Sequence, residues 1–342
     1  MRSAMLIAIF LAFGSAAARA ERAAPIDYTV PGTLADVGGG RHINMICAGS
    51  GSPTVLLIAG LGNSAVVWDQ VQPRIARKTR VCAFDRAGFG FSDGSARPQT
   101  TLERTRDIER ALSAAHVRGP YVVVGHSLGS FESFVFTDRN RRSVAGMVLI
   151  DPSIPDQARL LSAKTPAAGD YAHKGRIAAL ESVARCGARI RAGTLKPGAA
   201  DPDGCFQYPT YYPKVLTERL NALDANRLRS ATRLSLYRNS IDSADARSAP
   251  VVNPQRNYGA LPLIVLSSDP PFKAPADAPA AAAAEQALVR AEWRAAHVRM
   301  AHLSTRGEHL IVPGSQHAIQ RSNPDAVIDA VIEVLAAGRA AH

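Results

Sequence analysis

The residues with the most evident chemistry lie in Gly125-His126-Ser127-Leu128-Gly129. A strand-like run, Tyr121–Val124, leads into this segment and a helix-compatible stretch, Ser130–Phe136, follows it. A serine between a buried strand and a helix sits on a strained turn that projects its hydroxyl from the sheet edge. Glycines two residues to either side leave room for the crowded backbone. Such a serine needs a base. Of the nine histidines, His317 is best placed: it follows the run His309–Val312 and the loop Pro313-Gly314-Ser315-Gln316, and it precedes the last helix. His126 is expected to pack away from the hydroxyl. Negative charge developing on a carbonyl oxygen needs preorganised N–H donors. The Leu128 amide, just after the serine, is one candidate; the Leu61 amide, in the turn Ala59-Gly60-Leu61-Gly62, is the other. The acid that orients the imidazole is left between two residues. Asp151, which ends the run Met147–Ile150, and Asp269, beyond Leu261–Leu266, are the two candidates. Asp85 is read as holding its own glycine-rich turn.

These side chains have to be carried by a scaffold that brings distant segments to one edge. Continuous apolar runs recur at Val55–Ile58, Val81–Phe84, Tyr121–Val124, Met147–Ile150, Leu261–Leu266 and His309–Val312, as expected of strands buried on both faces. Helical patterns alternate with them. Thr100–Ala115 opens with a capping box (Thr100, Glu103) and carries Ile108, Leu112 and Ala115 at helical spacing. Asn323 and Pro324 start a last helix with a stripe of Val327, Val331 and Val334. The alternation predicts an α/β fold with a mostly parallel central sheet and helices on both faces. From Pro155 to Pro250 the rhythm breaks: only helix-like stretches such as Leu216–Leu236 appear, so residues 155–255 are expected to be a helical cap inserted between core segments 21–154 and 256–342. Within it Phe206, Tyr208, Tyr211 and Tyr212 form an aromatic cluster that either shapes a pocket or packs the core. Lys273–Ala284, rich in alanine and proline, reads as a surface linker into a helix over Glu285–Leu303.

Composition narrows the class. The chain has 342 residues, 46% hydrophobic and 20% charged, which supports a sizeable core and excludes a disordered chain. The formal charge of +11 is scattered, with neither Lys/Arg blocks nor aromatic–basic interleaving, so a nucleic-acid partner is not expected. Met1–Ala20 has the form of an export signal: Arg2, the apolar stretch Ala4–Phe13, and the small-x-small site Ala18-Arg19-Ala20. Ten apolar residues are too few to span a bilayer, so the expected product is periplasmic or secreted, without stable membrane insertion. An exported chain can use its four cysteines as bridges. Cys186 and Cys205 share a segment with little core of its own, whereas Cys47 and Cys82 lie in strand-like runs, as buried thiols or, if those strands are neighbours, a second bridge; the three connectivities stay open. No Cys-x-x-Cys or His-x-x-x-His spacing occurs, and Gly49-Ser50-Gly51-Ser52 lacks the lysine and following helix of a phosphate loop, so neither metal nor cofactor is expected.

From about Gly51 onward the sequence resembles the α/β-hydrolase superfamily, in its branch with a helical cap. The resemblance rests on the elbow, on Asp85-Arg86-Ala87-Gly88-Phe89-Gly90-Phe91-Ser92, similar to the family's Asp-Arg-x-Gly-x-Gly-x-Ser segment, and on Gly314-Ser315-Gln316-His317, which resembles its Ser-Gly-His segment. Two features depart from the pattern: Ala59-Gly60 stands where His-Gly is usual, and the usual Gly-x-x-Asp after the seventh strand is not cleanly present. The second departure leaves the acid between Asp151 and Asp269, and the resemblance makes Asp151, at a position some members use, the first choice with Asp269 the alternative. The resemblance implies a serine hydrolase acting on a small ester-like substrate through an acyl-enzyme. Dehalogenases and epoxide hydrolases of the same scaffold use an aspartate where Ser127 stands. An amide- or peptide-cleaving enzyme, or a non-catalytic binding protein of the same fold, is the alternative reading.

Overall fold

A computed structural model describes residues 25–198, 201, 203–240, 250–269 and 276–339. The expected export signal, Met1–Ala20, lies outside the described residues. Among the described residues eight strands form one sheet: β1 Thr33–Asp36, β2 His42–Ala48, β3 Thr54–Ile58, β4 Val81–Phe84, β5 Tyr121–His126, β6 Val144–Ile150, β7 Leu263–Asp269 and β8 Gly307–Pro313. Their spatial order is β1-β2-β4-β3-β5-β6-β7-β8. β1, β2 and β4 pair antiparallel, and every pairing from β4 to β8 is parallel. The mostly parallel sheet expected from the apolar runs is therefore present, but the run His309–Val312, expected to be buried on both faces, lies in β8 at the edge of the sheet, with Leu310 and Ile311 exposed. Strand β7 begins only after Pro262, which has no N–H for the ladder, and extends through Ser267 and Ser268 to Asp269, beyond its apolar run.

Side chains alternate across the sheet because successive residues of a strand point to opposite faces. Val55, Leu57, Val122, Val124, Val148 and Ile150 enter one core, closed by α1 (Gln72–Ile75) and α11 (Pro324–Arg339). Leu56, Ile58, Val123, Met147 and Leu149 go to the other face, covered by α2 (Thr101–Ala114), α3 (Gly129–Arg139) and α9 (Gln286–Ala301). Helix α2 starts as its capping box predicts: the Thr100 side chain accepts from the Glu103 amide at 3.2 Å.

Between β6 and β7 the described chain is helical: α4 Gln157–Ser162, α5 Pro166–Ala192, α6 Lys214–Asp224 and α7 Arg227–Ser240. The run expected as one helix over Leu216–Leu236 is thus broken at Ala225 and Asn226, where the Asn226 side chain accepts from the Leu228 amide and starts α7. Lys273–Ala284 also differs from expectation: of its described residues, Ala280–Ala284 form helix α8 against α5, and Glu285 accepts from the Ala168 amide at 2.8 Å. Short α10 (Ile319–Ser322) precedes α11. All four cysteines are paired, as Cys47–Cys82 and Cys186–Cys205. Cys47 and Cys82 are direct cross-strand partners on β2 and β4, so the neighbouring-strand condition for a second bridge is met.

Candidate active site

Strands β5 and β6 pair up to His126 opposite Ile150, and each then ends in a residue forced into the left-handed region: Ser127 at φ +50° and Asp151 at φ +39°. For residues with a Cβ this conformation is strained, and the surroundings hold it. The Ser127 amide donates to Ile150 O at 3.0 Å and the Asp151 amide to Leu266 O at 2.7 Å, so the sheet hydrogen bonding extends one residue past the strands. The Ser127 carbonyl accepts from the amides of Ser130 and Ser153, both at 3.0 Å. Because carbonyl and N–H are opposed in a trans peptide, this pinning also fixes the direction of the Leu128 N–H. A Cβ on Gly129 would overlap the Ile58 carbonyl oxygen, which is why the helix after the serine can pack this close to β3.

His317 arrives from the far edge. After β8 the chain turns at Gly314, and Ser315 ties the turn back by donating to Val312 O at 2.7 Å. His317 then lies between Ser127 and Asp151, with Nε2 at 2.9 Å from Ser127 Oγ and Nδ1 at 2.6 Å from Asp151 Oδ2. Asp151 is fully buried. Its carboxylate accepts from Ser268 Oγ at 3.0 Å and the Ser268 amide at 3.2 Å, and Trp293 Nε1 stands 3.5 Å away. Burial pushes its pKa up, but the His317 hydrogen bond and charge, with the Ser268 amide, outweigh that and hold it below the usual carboxylate value.

The alternative acid, Asp269, is not brought to His317. It ends β7, half-exposed, and pairs with Arg294. The separation is topological: Asp151 follows the strand beside β5, and Asp269 the next strand out. Asp85 holds its turn as expected, accepting from the Ala65 amide at 2.7 Å, the Phe91 amide at 2.9 Å and Asn44 at 2.7 Å. His126 is buried, with Nε2 3.1 Å from the His317 carbonyl oxygen, and burial together with the neighbouring His317 lowers its pKa to about 3. It is neutral and packs, as expected.

A second histidine stands beside the acid as a buried residue with both ring nitrogens bonded. His297 on α9 is buried; its Nε2–H donates to Pro152 O at 2.9 Å, and Nδ1 accepts from Ser267 Oγ at 2.6 Å. That assigns the hydroxyl proton of Ser267 to His297, so Ser267 in turn accepts from His309 Nε2 at 2.8 Å. Burial pushes the pKa of His297 down to about 4 against the pull of Asp151, 4.0 Å away, so it stays neutral. The available signal was two polar residues, Ser267 and Ser268, ending an otherwise apolar strand.

Ser127 opens into a cavity of about 650 Å³. Leu61, Leu128, Phe131 and Ile154 line it near the serine, and Arg159 and Asp170 contribute charge elsewhere in the wall. Both residues nominated as amide donors, Leu61 and Leu128, are in that wall, and neither amide donates to an acceptor among the described residues. The aromatic cluster lies elsewhere. Tyr208 and Tyr212 stack with centroids 5.7 Å apart, Tyr211 meets Tyr212 edge to face at 5.1 Å, all three pack on the α1/α11 core, and Tyr208 and Tyr212 line a separate cavity of about 320 Å³. The tyrosines thus pack the core, two of them also lining this second cavity, and none lines the cavity at Ser127.

Similarity to known proteins agrees with this architecture. Protein YqjL of Bacillus subtilis (strain 168) is 34% identical over 110 residues, 32% of this chain and 44% of that protein. The chain spans less than half the length of the curated relatives it matches first. Among solved structures, a thermophilic esterase from Thermogutta terrifontis superposes with a TM-score of 0.55 at 18% identity, covering 90% of this chain and 99% of that one. The epoxide hydrolase CorEH superposes at 0.57 with 20% identity, covering 88% and 97%. At such identities the likeness is one of fold. Residues 55–330, well over half of the sequence, match the family described as the Alpha/beta hydrolase family, and the chain belongs to that family.

Proposed function

We propose that the protein is an exported serine hydrolase that cleaves small carboxylic esters through an acyl-enzyme. The observation that carries this reading is the unbroken hydrogen-bonded line from Asp151 through His317 to Ser127, which stands on the wall of a cavity also lined by Leu61 and Leu128, whose amides are unengaged among the described residues. Asp151, ionised and buried, keeps the His317 proton on Nδ1, which leaves Nε2 to accept the Ser127 proton as Oγ attacks the ester carbon. The Leu61 and Leu128 N–H groups stabilise the resulting oxyanion. His317 then returns the proton to the departing alkoxide, and a water activated by the same imidazole cleaves the acyl-enzyme to acid and free serine. The apolar wall by Ser127 suits an aliphatic or aromatic acyl group. The esterase among the structural neighbours is in keeping with ester cleavage. Export is supported by the leader-like Met1–Ala20 and by two disulfides that use every cysteine, an arrangement suited to an oxidising compartment.

The test is labelling with a fluorophosphonate probe together with turnover of p-nitrophenyl esters of increasing acyl length. Wild type should label and turn over, and Ser127→Ala should do neither. Equal labelling of both would remove the enzymatic reading and favour a binding protein. Matching p-nitroanilides cleaved as fast as the esters would make the enzyme an amidase. Export is tested separately, by N-terminal sequencing of periplasmic material, with mature protein expected to begin at Glu21.

A further inference from the structure

Arg86 takes no part in the steps above, yet its guanidinium joins the two turns that carry the candidate amides. It lies beyond β4 with a side chain 9% exposed. Nη1 donates to Gly60 O at 2.9 Å, Nη2 to Ala59 O at 2.5 Å, and Nε to Glu132 Oε1 at 2.7 Å. Glu132 is fully buried in the first turn of α3, the helix that begins just after Ser127 and Leu128. Its Oε1 also accepts from Arg104 Nε at 2.8 Å, and Arg104 is itself fixed to Gln99 O and Thr101 Oγ1. We infer that Arg86 is the positioning residue of the oxyanion hole, clamping the Ala59–Leu61 turn to the helix of the nucleophile so that the Leu61 and Leu128 amides converge on one point. This inference rests on the serine-hydrolase reading.

The geometry supplies the reason. The Gly60–Leu61 peptide is trans, so the Gly60 carbonyl and the Leu61 N–H point in opposite directions from one plane. Holding the carbonyl against Arg86 therefore turns the Leu61 N–H away from it, and Leu61 lines the cavity at Ser127. Residue 60 must be glycine for the turn to come so close, since a Cβ there would stand 2.8 Å from His126 Nδ1 and 3.2 Å from Ser127 Cβ. Glycine, however, leaves the peptide free to rotate. A flip would replace the donor by a carbonyl oxygen and abolish the hole. The other bond restraining that carbonyl, from the Asn63 amide, is long at 3.4 Å and weak. Three donors in one rigid plane fit this task, and a lysine ammonium does not offer that fork. Burial raises the pKa of Glu132, but Arg104 and Arg86 hold the carboxyl below its usual value, so the far anchor of the clamp stays ionised.

The experiment compares wild type, Arg86→Gln, Arg86→Lys and Ser127→Ala in the full chain. It reads kcat and KM on p-nitrophenyl butyrate, affinity for an alkyl boronic acid that forms a tetrahedral adduct on the serine, and the thermal midpoint. Arg86→Gln should lose ~100-fold in kcat, the scale of one lost oxyanion donor, with KM within about threefold. Boronate affinity should fall in the same proportion as kcat. Arg86→Lys, which keeps the buried charge and is the variant to read where Arg86→Gln does not fold, should recover no more than about a tenth of the wild-type rate because the fork is lost. A merely structural arginine would lower the thermal midpoint and leave boronate affinity of the folded fraction unchanged, which overturns the inference. So does a kcat within about threefold of wild type in both variants. If wild type itself neither labels nor turns over while matching Ser127→Ala, the hydrolase reading falls and the clamp with it. If wild type passes and the Arg86 variants equal it, only the clamp falls.

Discussion

Replacing Asp151 by Asn is the substitution that separates the two acids left open by the sequence. Asp151 Oδ2 and His317 Nδ1 are 2.6 Å apart. At an effective dielectric of about 20, attraction between the carboxylate and the imidazolium formed in the transition state is about 6 kcal/mol. The His317 side chain is 40% exposed, so solvent screening reduces this to roughly 4 kcal/mol, a factor of ~1000 in rate. Asn adds a second loss. Its amide donates where the carboxylate accepted, favouring the imidazole tautomer with its proton on Nε2, which cannot take the Ser127 proton. Together these predict a fall of ~10,000-fold in kcat for p-nitrophenyl acetate, with KM little changed. The side chain must also reshuffle its bonds to Ser268, at a cost of about 1–3 kcal/mol in stability, so circular dichroism melts should accompany the kinetics. Asp269→Asn is the internal control. It loses a partly exposed pair with Arg294, worth under about 1 kcal/mol, and should keep wild-type turnover within about threefold. Asp151→Asn retaining more than a tenth of wild-type activity while Asp269→Asn loses most of it would refute the assignment and the topological argument behind it.

Gly60→Ala places a Cβ against His126 Nδ1 and Ser127 Cβ, so kcat should drop at least tenfold while the protein stays folded; unchanged kcat would mean the turn does not approach the nucleophile this closely. His297 is held neutral with a pKa of about 4, whereas an unfolded histidine titrates near 6.5, so the unfolded chain binds more protons between those values and stability falls as pH drops through that window. The loss from this residue is on the order of 3 kcal/mol between pH 6.5 and 4, and urea melts of His297→Gln should show a flatter pH dependence than wild type. Cys186→Ser with Cys205→Ser opens a loop of sequence separation 19 and should cost about 3 kcal/mol, read as a lower urea midpoint; a midpoint equal to that of wild type would show the bridge contributes nothing.

What could be read from the sequence follows from which contacts are local. Ser127 was legible because its strand, turn and helix are consecutive, and strained backbone demands small residues on either side. The core strands were legible because parallel strands buried on both faces read as continuous apolar runs. The acid was not, because Asp151 and Asp269 each follow an apolar strand and differ only in which strand stands beside β5. That order is set by long-range pairing, with Met147 to Ile150 in register with Val123 to His126 and with Leu263 to Leu266. The break in Leu216–Leu236 was missed because the apolar spacing continues past Asn226, and only the cap formed by its side chain interrupts the helix. The two buried histidine partners, Ser267 and Pro152 O, come from segments distant in sequence from His297, and no periodicity announces them. Arg86 shows the point in sharpest form. It lies within a glycine-rich segment whose evident role is a turn held by Asp85, but its three bonds go to residues 26, 27 and 46 positions away. A charged residue that does its work across the fold leaves no local pattern. Its signature is a fully buried carboxylate, Glu132, which would be very costly to bury without a partner and therefore marks where the chain must bring its arginines.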